Sequence, residues 1–161
     1  MMRATEIAIL LFAVSWSAYS SSSIYGTAFD YMKATPTSKY FAGKTQQQIQ
    51  RFCKHDAVAT MDVSACAQHS FERVARTLEK KVSAIERIMA DGDRKLHANG
   101  EPEALPYFRR GQENWKLYRD NECYAEVYEV GQASLRFVEF WDCMNRISSN
   151  RLAELTNPVN Q

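Results

Sequence analysis

No alternation of apolar and polar residues long enough to make a strand runs through this sequence of 161 residues, and that removes sheet-based folds at the outset. Charge of one sign is missing too: 20 Lys and Arg stand against 19 Asp and Glu. A chain so balanced has no basic face with which to release counterions from a nucleic acid. Catalytic signatures are absent. There is no Gly-rich phosphate loop, no G-x-S-x-G and no H-E-x-x-H, so the chemistries those motifs carry are excluded. Carboxylates cluster in "DGD", "EPE" and "EFWD", but nothing in the pattern holds two of them across a cleft as a glycosidase needs. No cysteine pair has the close spacing of a zinc site, and His55, His69 and His97 form no ligand spacing with them. No metal, no cofactor and no enzymatic activity are expected.

What is present begins at the N-terminus. "MMRATE" leads into the short apolar run "IAILLFAV", which fades through small residues around Ala18 and Ser20. This describes a secretory signal peptide over residues 1–20, either cleaved near Ser21 or retained as an anchor. The run is too short for a comfortable membrane span, which wants about 20 apolar residues. Export makes the cysteines informative. Cys53, Cys66, Cys123 and Cys143 are an even number bound for an oxidising, periplasmic or extracellular compartment, so two disulfides are expected.

Residues 21–52 mix Ser, Thr and Gly with Tyr25, Phe29, Tyr31, Tyr40 and Phe41 and read as a partly ordered lead. Near its end Thr45 and Gln48 spell a capping box for a short helix. Next, Phe71, Ala75, Leu78, Val82, Ile85 and Met89 step by fours and threes, a helical period that Thr60 or Asp62 is placed to cap. "DGD" at 91–93 predicts its end, and residues 91–106, rich in Gly, Pro and charge, predict a long loop. A second helix is expected from Pro106 to Gly131. A third runs from about Ser134 to Pro158, with Phe137, Trp141, Met144, Ile147 and Leu155 on one stripe. The fold class is all-α: an antiparallel three-helix bundle with a short N-terminal helix, spanning residues 53–161. A hairpin turning at 131–134 sets Cys123 level with Cys143, and a bridge there is geometrically natural. Cys53 and Cys66 then pair by remainder. That requires a chain reversal between them, because a continuous helix would hold them about 20 Å apart.

The stretch "QENWKLYRDNEC" looks like an active site. At 100° per residue, Phe108, Gln112, Trp115, Arg119 and Cys123 share about an 80° arc. An arc holding a Trp and a disulfide cysteine faces the core. Arg119 on that arc needs a carboxylate; Asp120 and Glu122 lie off it, so Glu72 or Glu79 of another helix is the expected partner. Arg119 thus reads as an interhelix brace, with a binding role toward an anionic ligand as the alternative.

Three blocks carry a family resemblance: "ATMDVSACAQHSFERVARTLEKKV", "GQENWKLYRDNEC" and the stretch from Cys143 to Leu155. The most specific part is Q-x-x-W-x-x-x-R-D-x-x-C, made by Gln112, Trp115, Arg119, Asp120 and Cys123. The closing block adds Ile147, Ser148, Arg151 and Leu155. Over roughly residues 53–156 the chain resembles the LprI-like N-terminal domain family of small exported helical proteins. The resemblance implies a disulfide-containing envelope protein and, for some relatives, inhibition of lysozyme. The leading expectation is therefore an exported binding module for a protein partner, lysozyme being the candidate. Its contact element would be the mildly acidic loop carrying Asp91, Asp93, Glu101 and Glu103. The alternative is a structural or interaction protein of the envelope that docks through the 21–52 lead.

Overall fold

The computed structural model describes residues 29–157 except 132 and 134; the signal segment expected at 1–20 and residues 21–28 of the lead lie outside the described residues. The helices and their packing fall within residues 31–157. The described residues contain no strand. A single 3-10 turn, Tyr31–Lys33, precedes α1 (Thr37–Tyr40) and α2 (Gln46–Arg51), and α2 continues into one turn of π-helix, Phe52–Asp56. Three long helices follow: α3 (Thr60–Ala98), α4 (Leu105–Val130) and α5 (Arg136–Thr156). The expected plan of three helices and one short one therefore undercounts, with five α-helices among the described residues. No described helix is long and apolar enough to cross a membrane.

Local chemistry explains most boundaries. Thr45 and Gln48 form the reciprocal capping box that starts α2. α3 begins without a side-chain cap, on Ala59; Thr60, expected as its cap, is already its first residue. The other end of α3 needs a larger correction. The helix passes straight through "DGD" and is 39 residues long, about 58 Å at 1.5 Å per residue. One interior glycine costs only about 1 kcal/mol relative to alanine. Here Asp91 pairs with Arg94 one turn on, and Asp93 is buried with its own task at the next helix.

The true stop is Gly100, at φ +74°, where a side chain would be strained. Its N–H donates to the His97 carbonyl and the Glu101 N–H to the Leu96 carbonyl, each at 3.0 Å. This double closure is the Schellman pattern that ends a helix in the left-handed region. The long loop expected over 91–106 thus shrinks to 99–104. The far end of that turn is tied back to α3 by one carboxylate, because Asp93 accepts from the Ala104 N–H at 2.9 Å and the Leu105 N–H at 2.8 Å. Those two amides begin α4, whose N-cap position is held by Ala104, a residue with no side-chain acceptor. Asp93 therefore caps α4 from the neighbouring helix.

The main core lies where α5 packs along both α3 and α4; α3 and α4 touch each other over a much shorter stretch. Phe71 and Leu78 come from α3, Cys123 and Val127 from α4, and Phe140, Trp141, Met144 and Ile147 from α5. Phe71 stacks on Trp141 with ring centroids 5.6 Å apart. The Cys123–Cys143 bond ties α4 to α5 inside this core. A second cluster joins Phe41 and Ile49 of the lead to Ala65 of α3, with Phe52, Cys53 and Cys66 against it. There the chain turns through the non-helical residues 57–59 between the π turn and α3, and Cys53 bonds Cys66 with Cα atoms 5.6 Å apart.

Candidate functional site

On α4, Gln112, Arg119 and Cys123 are buried and Trp115 is half-buried. The Arg119 guanidinium lies 5.2 Å from the Trp115 ring centre and 5.5 Å from that of Phe71, cationic on two aromatic faces. Its Nε and Nη2 both donate to Asp120 Oδ1, at 2.9 and 2.7 Å. Nη2 also donates to the Tyr31 hydroxyl at 3.2 Å, and that hydroxyl donates to Asp120 Oδ2 at 2.8 Å. A closed triangle of Arg, Asp and Tyr results.

The expectation of Glu72 or Glu79 as the Arg119 partner is corrected: the adjacent Asp120 fills the role. Cβ directions of neighbouring helical residues diverge by 100°, but the long Arg119 side chain folds back onto the short Asp120 carboxylate, and both meet a third group. Tyr31 is that group, and no spacing in the sequence announced it. Burial, reinforced by its bond to Asp120, pushes the Tyr31 phenol up to about 12, so it stays a donor across the physiological range. Tyr31 also packs on Phe140 and Trp141, with centroids 5.5 and 6.2 Å away. It therefore fastens the lead to the bundle.

Arg151 of α5 closes the far end of the motif, its Nε donating to Gln112 Oε1 at 3.4 Å while Nη1 bonds Glu154 at 2.8 Å. Gln112 Nε2 is buried with no partner among the described residues. Leu78, Val82, Gln112, Trp115 and Arg119 line a cleft of about 240 Å³, below the roughly 300–1,000 Å³ of ordinary small-molecule sites. Chemically the cluster is a brace: its charge is neutralised and its nucleophile is in a disulfide. Among the described residues no group of His, Cys, Asp and Glu is arranged to hold a metal.

A second polar cluster, missed in the sequence, clamps the lead onto α3. Glu72 accepts the Thr37 N–H at 3.0 Å and the Thr37 hydroxyl at 2.6 Å. With its O–H directed at Glu72, the Thr37 hydroxyl oxygen is an acceptor for His69 Nδ1, 3.2 Å away. This assigns the Nδ1–H tautomer and leaves Nε2 to accept from the Gln46 amide at 3.3 Å. Burial holds the His69 imidazole below the ordinary 6.5; Glu72 pulls it back up, while Arg73 and Arg76 push it further down.

The residues expected to make an acidic contact loop are dispersed. Asp91 and Asp93 belong to α3, Asp91 pairs with Arg94, and Asp93 is only 7% exposed. Glu103 bonds His97 at 2.9 Å. Glu101 is the acid left exposed in the turn. Of the lead aromatics proposed for docking, Tyr25 lies outside the described residues, Phe41 is buried, and Tyr31 is engaged as described. Tyr40 stays partly open beside a groove of about 790 Å³ that Met61, Ser64, Gln68 and Phe137 also border.

The family model described as lysozyme inhibitor LprI matches residues 53–155, well over half of the chain. The chain belongs to the LprI family. The LprI match opens on Cys53 and closes on Leu155, so it encloses both disulfides, the Gln112–Cys123 motif and Arg151. Tyr31, Thr37 and Phe41 fall before it. An uncharacterised protein of Rhizobium meliloti (strain 1021) is 26% identical over 114 residues, covering 68% of this chain and 79% of its own. No solved structure matches the chain.

Proposed function

We propose that this LprI-family chain is an exported, periplasmic or secreted binding module that inhibits lysozyme. The observation that carries this reading is the family match across the entire disulfide-linked bundle. Two disulfides in a small helical protein fit an oxidising compartment. We assign the chain no catalytic role; its partner is a protein. The contact element is the α3–α4 turn, now limited to residues 99–104 with Glu101 and Glu103, and Asp91 about two turns below on α3. Asp93 supports the turn from inside and does not touch the partner. With 20 basic against 19 acidic residues, recognition of a cationic enzyme rests on local charge and shape. Titrating the oxidised protein into lysozymes of several types, with cell-wall hydrolysis as readout, tests the proposal. Inhibition of at least one type is expected, and full activity of all of them at micromolar excess overturns it.

An interaction protein of the envelope, docking through the lead, is the second reading. The groove beside Tyr40 and Met61 favours it. Deleting the lead while the bundle stays folded would then abolish binding, whereas inhibition through the α3–α4 turn would survive.

A further inference from the structure

The solvent face of α4 carries a pattern that the bundle does not use. Tyr107, Gly111, Asn114, Tyr118, Asn121, Ala125 and Tyr128 follow one another at steps of four and three, and all seven are exposed. None is charged. A solvated helix face ordinarily collects the charges, yet on α4 Arg110, Glu113, Glu122 and Glu129 only border this seam. Large exposures at Tyr107 (71%), Leu117 (62%) and Tyr118 (56%) add apolar area along it. The seam is about 32 Å long at 1.5 Å per residue.

Its sequence is nearly the same read in either direction. About the midpoint between Leu117 and Tyr118, Tyr107 mirrors Tyr128, Asn114 mirrors Asn121, and Gly111 mirrors Ala125 to within one residue. A surface meeting its own copy across a two-fold axis needs this property, since each residue must accept its mirror position. Antiparallel apposition sets tyrosine on tyrosine at both ends and small residues on small residues between. Asn114 meets Asn121 of the second copy, amides able to exchange donor and acceptor and to fix the register.

Gly111 is a second, independent sign. An interior helical glycine is destabilising, and a Cβ built there meets nothing within 4 Å. None of the described residues calls for glycine at 111, whereas close approach of another helix does.

We infer that the Tyr107–Tyr128 face of α4 is a homodimer interface, formed by antiparallel packing on the same face of a second copy of this chain. This goes beyond lysozyme binding and does not depend on it. A single helix pair covers less than the roughly 800 Å² per partner of strong interfaces, so half-dimerisation is expected at about 10–100 μM.

Sedimentation equilibrium of the oxidised protein from low to high micromolar concentration is the test. Tyr118 sits beside the two-fold axis and is exposed, so Tyr118→Glu and Tyr118→Lys leave the bundle folded, as circular dichroism will verify. Each variant alone is expected to dimerise at least tenfold more weakly, through apposed like charges. An equimolar mixture of the two is expected to recover a heterodimer. Gly111→Ala should raise the melting temperature of the monomer while weakening the dimer. A protein monomeric to about 500 μM overturns the inference, as does a dimer that Tyr118→Glu leaves intact.

Discussion

Arg119 is 9% exposed and Asp120 26%, and removing one member of such a pair leaves a largely buried charge unmatched. Arg119→Ala is expected to lower stability by about 3 kcal/mol, the lower end for a broken buried pair. Arg119→Lys keeps the charge but loses the fork that bonds Asp120 twice and Tyr31 once, so its loss should be smaller yet measurable. Urea midpoints at unchanged slope measure both. Asp93→Ala removes two helix-starting hydrogen bonds and should cost about 1–2 kcal/mol, with faster amide exchange at Ala104 and Leu105. For His69 the sign follows from its depressed titration. The unfolded chain takes up a proton near pH 6.5 while the folded chain resists it. Stability should therefore fall as pH drops below about 6.5 and level off once the native imidazole protonates as well. Melting temperatures between pH 8 and 5 should show a steeper loss for the wild type than for His69→Gln; equal slopes would remove His69 as the cause.

Among the elements, α4 is legible from its brackets, Pro106 and Gly131, and α5 from the clear helical period of Phe137, Trp141, Met144 and Ile147 before Pro158. The pairing of Cys123 with Cys143 followed from their equal distances from the turn. The end of α3 was misread because two glycines compete for it and the nearer one, Gly92, sits in a charge-rich stretch. Only the backbone at Gly100 shows which terminates the helix. The lead was the least legible, since its order comes from contacts with residues far along the chain: Tyr31 with Asp120, Thr37 with Glu72. Such pairs leave no periodic trace. Each disulfide should stabilise by roughly 2–4 kcal/mol, mainly by restricting the unfolded chain, but with different local signatures. Replacing Cys53 and Cys66 by Ser is expected to raise hydrogen exchange in α2 and the π turn while α4 and α5 stay protected. Replacing Cys123 and Cys143 should loosen the α4–α5 end first.

At the scale of the molecule, the motif that makes the chain recognisable and the surface that would meet a partner are different places. Gln112, Trp115, Arg119, Asp120 and Arg151 look inward, and through Tyr31 they bind the lead to the bundle. The α3–α4 turn and the outer face of α4 remain for encounters. Recognition through Glu101 and its neighbours would weaken with ionic strength, since exposed charges are screened within about 8–10 Å at physiological salt. The most direct test compares lysozyme inhibition by the wild type, by Arg119→Lys and by the doubly substituted Glu101→Lys, Glu103→Lys protein, all below their melting temperatures. Arg119→Lys is expected to inhibit like the wild type and the turn variant to lose at least tenfold. A folded Arg119→Lys protein that no longer inhibits, beside a turn variant that does, would contradict the account.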